Sequence, residues 1–194
     1  MIHQSQITSL PVKETETELC IIGGGIAGML TALSAARHGR QVVLMQDRPV
    51  LGGNASSEVR MWIRGAKGPN MRETGILEEL ALENLYRNPK LNYSVWDSVM
   101  YGKLMMENNI TLIMNCSCLD AEMEGDRIVS VTGWQTTTQS YHKVKARIFA
   151  DCSGDSILAP LTGAEWRMGR ESCHEFNEDI APEVSMRRPW GCPV

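Results

Sequence analysis

The sequence predicts an α/β fold around a parallel sheet, and three observations predict it. A short apolar run, Leu19-Cys20-Ile21-Ile22, leads directly into Gly23-Gly24-Gly25. A helical pattern over 26–38 follows, and then a second apolar, β-branched run over 41–46. Far downstream, short strands separated by turns end in Asp151-Cys152-Ser153-Gly154-Asp155.

The first strand is a buried one, because it is continuously apolar and stops at glycine. In the helix, Ile26, Met29, Leu30 and Leu33 fall on helical spacing, with small Ala27, Ala32, Ala35 and Ala36 around them. Gly39 ends it as a left-handed cap. Strand, turn, helix and strand make a βαβ unit with a right-handed crossover. Residues 48–75 are long and irregular, with Gly at 52, 53, 65, 68 and 75 and with Arg60, Trp62, Arg64 and Arg72. A segment of this kind in a compact domain is usually functional. Ile76, Leu77, Leu80 and Leu85 predict a helix over 76–86, stopped by Asn88-Pro89. Asp97 is the expected N-cap of another helix reaching Glu107, with Val99, Met100, Leu104 and Met105 on its apolar side. Strands are expected over 110–114, 119–123, 128–134 and 144–150, with a turn at Glu124-Gly125-Asp126.

Composition sets outer limits. The chain has 194 residues, a net charge of −4, 43% hydrophobic and 22% charged residues, 17 Gly and 8 Pro. That is globular, and long enough for one ordinary domain with a small appendage. Mild acidity speaks against nucleic acid as a partner. No apolar run reaches the roughly 18–20 residues of a membrane span, and Met1 to Glu18 carries no signal-type apolar stretch. A soluble, cytoplasmic protein without a membrane partner is expected. Its oligomeric state is not readable. The six cysteines, Cys20, Cys116, Cys118, Cys152, Cys173 and Cys192, lack metal-ligand spacing and read as reduced, largely buried thiols. Cys116 and Cys118 fall on one face of a strand.

The chemistry concentrates in Gly23-x-Gly25-x-x-Gly28, placed between a strand and a helix. Gly23 permits the tight turn, Gly25 lets a pyrophosphate approach the backbone, and Gly28 lets the helix pack closely on the strand. The helix N-terminus, at Ile26 and Ala27, offers free N–H groups and partial positive charge to phosphate. An acid often ends the second strand and bonds the ribose; here Gln46 stands there, with Asp47 next. Gln46 could exchange hydrogen bonds with ribose hydroxyls without charge. No arginine at that position supports a 2′-phosphate.

Gly52-Gly53-Asn54-Ala55-Ser56-Ser57 resembles the second glycine motif of flavoproteins of the glutathione-reductase type, and Ala146 to Asp155 resembles the strand-and-glycine motif that returns the chain to their FAD domain. A closer resemblance rests on Gly52 to Trp62, Arg72 to Ile76, Glu83 to Pro89, Asn92 to Asp97 and Arg167 to Ser172. These resemble the bacterial FAD-dependent oxidoreductase family, related to the flavin subunit of heterodisulfide reductase. The resemblance runs from about Glu18 to about Glu183. It implies a Rossmann-like FAD/NAD(P)-binding fold with a β-meander, FAD as cofactor and redox chemistry on a small-molecule substrate of unknown identity. Motif and resemblance together give a cofactor-binding set of Gly23, Gly25, Ile26, Ala27, Gly28, Gln46, Asp47, Gly52, Gly53, Asn54, Ser57, Cys118, Ser153, Gly154 and Asp155. Near a flavin ring the candidates are Asn54, Ser57, Glu58 and Arg60, with Trp62 and Arg64 lining a substrate or flavin face. No catalytic residue is assignable. His174 beside Glu175 has the residue types of a proton-transfer pair, and His142 reads as a strand-surface residue.

The expected organisation is a flexible segment over 1–17, the FAD-binding domain over 18–160 with a helical insert near 74–108 and a meander near 110–145, and the start of a substrate-domain region with an irregular tail over 161–194. Family members are longer, with a substrate domain and a final strand that closes over the FAD. The expectation is therefore an N-terminal fragment or the product of a truncating frameshift. No iron–sulfur cysteine motif is visible and no metal is expected. Three readings follow: a flavin oxidoreductase, a non-catalytic nucleotide-binding fragment, or a flavin- or NAD(P)-binding subunit of a multi-subunit electron-transfer complex.

Overall fold

The computed structural model describes residues 10–65, 68–69 and 73–186. Arg72, Cys192 and the tail beyond Met186 lie outside the described residues, as do the first nine positions. The chain divides into two units, 1–162 and 163–194.

The first unit is built on six strands: β1 (Val12–Ile22), β2 (Val42–Met45), β3 (Ile110–Ile113), β4 (Cys116–Glu124), β5 (Arg127–Gln135) and β6 (Ser140–Asp151). Their order is β3-β2-β1-β6-β5-β4. Strands β3, β2, β1 and β6 run parallel; β4, β5 and β6 form an antiparallel meander. Helices α1 (Ile26–Arg37), α2 (Gly75–Arg87), α3 (Tyr93–Met105) and the short α4 (Leu158–Thr162) complete the unit.

Alternation along the strands sorts side chains into two cores. Ile21, Val42 and Leu44 join Met29, Leu33, Leu80, Trp96, Met100 and Leu104 of the three longer helices. Cys20, Ile22, Val43 and Met45 join Ile113, Cys116, Cys118, Val131, Val144 and Leu158. The sheet is buried on both faces, which is why its central strands read as unbroken apolar runs.

Several boundaries differ from expectation. β1 begins at Val12, so residues 12–17 are strand rather than flexible segment, held by register pairs from Val12–Tyr141 to Thr17–Ala146. Their mixed polar composition hides this, since only pairing partners far along the chain make them a strand. Ile110–Ile113 belongs to the parallel part, beside β2, and not to the meander. β6 is both the last meander strand and the strand that returns beside β1. Helix α3 starts a turn earlier than expected: Asn92, not Asp97, caps it, its side chain accepting the N–H groups of Ser94 and Val95. Leu85 and Met105, placed on apolar helix faces by spacing, are exposed. His142 is buried on β6, where its Nε2 lies 3.0 Å from the Gln135 Oε1, and burial lowers its pKa.

The second unit contains the short α5 (Cys173–Phe176) and a bridge between Arg170 and Met186. Arg170 also donates to the Ile180 carbonyl at 2.8 Å, and Arg167 pairs with Glu175. Glu175 is therefore committed to an arginine, and His174 beside it is exposed.

Candidate functional site

Three glycine-containing turns meet at the carboxyl ends of β1, β2 and β6, where open α/β sheets present their crevice. The first joins β1 to α1. Gly23 has φ +98°, and a Cβ there would lie 2.4 Å from the Cys152 carbonyl oxygen, so the turn excludes any side chain. A Cβ on Gly28 would lie 1.9 Å from the Gly23 oxygen; the helix packs onto its own entry turn. Gly25 differs from both: only the Gly53 Cα, at 4.0 Å, is near a Cβ built there. This space lies at the start of α1, whose first intrahelical bond runs from the Met29 N–H to the Gly25 oxygen at 2.9 Å. The N–H groups of Ile26, Ala27 and Gly28 precede that bond, no side chain caps them, and no acid occupies the first turn.

The second turn contains Gly52, Gly53 and a single 3-10 turn over Gly53–Ala55. Gly25 and Gly52 form a parallel bridge, and the Gly52 N–H donates to the Gly24 oxygen at 2.8 Å. Gly52 has φ +100° and sits against the Met100 side chain. The turn is held from α3: the Trp96 indole N–H donates to the Ala55 oxygen at 3.0 Å, and the Ser57 N–H donates to the Asp97 carboxylate at 2.9 Å. Asn54 is exposed and Ser57 half-buried.

The third turn follows β6. The Asp151 carboxylate accepts the Ser153 hydroxyl at 2.6 Å, the Ser153 N–H at 3.0 Å and the Leu158 N–H at 2.8 Å. The Ser153 oxygen in turn accepts the N–H groups of Asp155 and Ile157. Ser153 thus shapes its own loop. Gly154 and Asp155 remain exposed at its tip.

The structure brings Gly23, Gly25, Ile26, Ala27, Gly28, Gly52 and Gly53 together, with Ser153 next to Gly23 through Cys152. Two residues of the expected set have side chains committed to the protein interior. Cys118 packs in the second core with Cys20 and Cys116, because the alternation of β4 turns its side chain inward. Burial pushes its thiol up to about 11, and those of Cys20 and Cys116 up to about 12. Gln46 is 3% exposed, and its side-chain amide is used inside the protein. Its Oε1 accepts the Gly24 N–H at 2.6 Å and its Nε2 donates to the Val50 oxygen at 3.0 Å, so it does not face a ribose. Asp47, directly after it, is exposed and has no hydrogen-bond or ion-pair partner among the described residues.

Trp62 stacks on Tyr93, ring centroids 4.3 Å apart, and tilts against Trp96. Together with Arg64, Leu77, Leu82 and Leu85 it lines a largely apolar cavity of about 460 Å³. Arg60 has φ +63° and its side chain donates back to the Ser57 oxygen, which commits it to its own loop. Glu58 pairs with Arg48. Sequence reading gave Gly24, Asp97 and Asp151 no part in the site. Gly24 stood in plain sight in the glycine triplet; a Cβ on it would meet Leu51 at 2.7 Å.

Known proteins resemble this chain in sequence and in fold. Over 51 residues, 25% of this chain, the sequence is 45% identical to an iron-sulfur subunit of the CoB--CoM heterodisulfide reductase of Methanopyrus kandleri, a match covering 8% of that protein. The fold is similar to E. coli quinol fumarate reductase, with a TM-score of 0.55 at 11% identity, covering 72% of this chain and 33% of that one. It is also similar to p-nitrophenol 4-monooxygenase from Pseudomonas putida, with a TM-score of 0.51 at 14% identity, covering 81% and 46%. The chain spans less than half the length of each of these relatives. The model of the FAD dependent oxidoreductase family matches residues 18–189, and the chain belongs to that family, with FAD as its cofactor.

Proposed function

We propose that this chain holds FAD on its three glycine turns and serves an oxidoreductase that acts on a small molecule. The observation that carries this reading is the open space at Gly25, facing Gly53 and lying before an uncapped, acid-free helix N-terminus. A pyrophosphate fits there by shape and charge: backbone N–H groups point outward, and no side chain intrudes. Ile26, Ala27 and Gly28 would donate to it. Asp47, exposed and uncommitted at the end of β2, would accept from the adenosine ribose. Gly52, Gly53, Asn54 and Ser57 would lie along the ribityl chain, and Gly154 and Asp155 would approach from the β6 side.

When bound, FAD supplies the electron transfer itself. The chain's own part is to fix the dinucleotide in extended form and to shield one side of it. Asp97, Trp96 and Asp151 keep the turns in place from behind. Tests of this part of the reading do not require the substrate. The cytoplasm is the proposed setting, supported by free thiols at Cys20, Cys116, Cys118, Cys152 and Cys173. Among the described residues no helix is long and apolar enough to cross a membrane.

The direct test is the absorbance spectrum of the purified chain after reconstitution with FAD and removal of free cofactor. A retained flavin band near about 450 nm is expected. A colourless chain that binds NADH instead would replace the FAD reading with that of a nicotinamide-binding subunit.

A further inference from the structure

Gln46 occupies the place where a ribose-binding acid commonly ends the second strand, yet its side chain is turned inward. It bonds to the first glycine turn and to the segment that leads into the second. Its oxygen accepts the Gly24 N–H at 2.6 Å, and its nitrogen donates to the Val50 oxygen at 3.0 Å. A third bond closes the ring: the Gly52 N–H donates to the Gly24 oxygen at 2.8 Å. The amide orientation follows from these partners, since the reverse flip would set two donors and two acceptors against each other. The main chain of Gln46 is equally engaged, its N–H donating to Ile113 and its oxygen accepting from Cys116, both at 2.8 Å. Leu51 and Gly24 fill the remaining space beside its side chain.

We propose that Gln46 is a positioning residue that latches the two glycine turns at one separation, and that it acts on FAD through those turns rather than by touching the ribose. The inference rests on the FAD reading above. Its physical basis is that one neutral side chain here must accept at one end and donate at the other. Glutamine meets both demands; glutamate, of the same length, meets only the first when ionised. The latch sets the distance between Gly25 and Gly53, which bound the open space before α1. A change in that distance misaligns the N–H groups of Ile26 and Ala27 with any anion placed between the turns.

Gln46→Glu separates a latch from a ribose contact. A ribose contact predicts tighter or unchanged FAD binding, because a carboxylate accepts ribose hydroxyls well. The latch predicts FAD binding at pH 8 weakened about 10-fold or more, since an ionised carboxylate would face the Val50 oxygen. It also predicts recovery to within about 3-fold of wild type near pH 5.5, because a buried carboxyl protonates readily there and then donates to Val50. The ionisable groups on the segments around it are exposed Asp47, Arg48 paired with Glu58, and the Cys116 thiol, which burial holds neutral. Wild type measured at both pH values corrects for any effect of these.

Folding of the variant is checked by circular dichroism, and a second measurement needs no variant. In the FAD-free wild-type chain the Gly24 amide should be strongly protected from hydrogen exchange. An unprotected Gly24 amide, unweakened FAD binding by Gln46→Glu, or weakening that does not recover in acid would each overturn the latch. Failure of wild type to bind FAD would instead sink the FAD reading, while Gly24 protection would still test the ring.

Discussion

Gly25 and Gly28 stand three positions apart in one motif, and the structure gives them opposite duties. A side chain on Gly28 would collide with backbone, whereas one on Gly25 would enter open space. Gly25 also has φ −64°, which any residue adopts. Gly25→Val is therefore expected to keep the fold, with a melting temperature within a few degrees of wild type, and to weaken FAD binding by about 100-fold or more. Gly28→Ala is expected to do the reverse first, costing at least about 2 kcal/mol of stability through overpacking. Chemical denaturation and flavin fluorescence titration on both variants check the contrast. Unchanged flavin binding by Gly25→Val would refute the assignment of the first turn.

The long helices are held to one another by charge as well as by packing. Arg37 on α1 donates to Glu79 on α2 at 2.7 Å and to Glu107 after α3 at 3.0 Å. Lys103 on α3 reaches Glu79 at 2.9 Å and also pairs with Glu83. Hydrogen bonds from Arg37 and then Lys103 hold the Glu79 carboxyl at about 2, and Lys103 lowers Glu83 too. Burial opposes the charge on Lys103, but its bonds to Glu83 and Glu79 outweigh it and raise its pKa. A carboxylate lowered in the folded state stabilises above its unfolded value, roughly 4.3, and that contribution fades as pH falls toward the folded value. Stability of the flavin-free chain should thus drop between about pH 4.5 and pH 2. Lys103→Met should lose about 1–2 kcal/mol at pH 7 and flatten that acid limb; Glu79 is 41% exposed, so solvent screening keeps the figure modest. Urea titrations at several pH values measure both effects. This network was not readable beforehand, because its partners lie on three separate elements. The same reason hid Asp97 and Asp151. Local spacing marks a helix or a glycine turn, but the acceptor that braces a turn is chosen by tertiary packing. Gln46 misled for a related reason: its position along the strand was readable, whereas the direction of its side chain depended on Val50 and Gly24. The βαβ unit and the glycine turns were readable because steric demands force particular residues at particular steps.

For the first unit as a body, the three turns come from segments scattered between residues 23 and 158 and meet at one end of the sheet. Ligand binding there should stabilise the unit as a whole, by about 2.7 kcal/mol at a hundred times Kd. FAD is expected to raise the melting temperature by several degrees. FMN, which lacks the pyrophosphate and adenosine, should raise it far less; equal shifts would argue that the turns do not hold a dinucleotide. The arrangement of strands also bears on how the protein is made. β1 lies between β2, which follows it within one βαβ unit, and β6, which is the last of the six described strands in chain order. During synthesis the β6-facing edge of β1 waits unpaired while most of the unit emerges from the ribosome. Such an edge is a template for joining the wrong chain, and contacts so distant in sequence close slowly. The outer half of β1, Val12-Lys13-Glu14-Thr15-Glu16-Thr17, carries Lys13, Glu14 and Glu16, whereas Leu19 to Ile22 of the inner half are apolar. Charged side chains on a strand edge oppose such mispairing, and Lys13, Glu14 and Glu16 put them on this one.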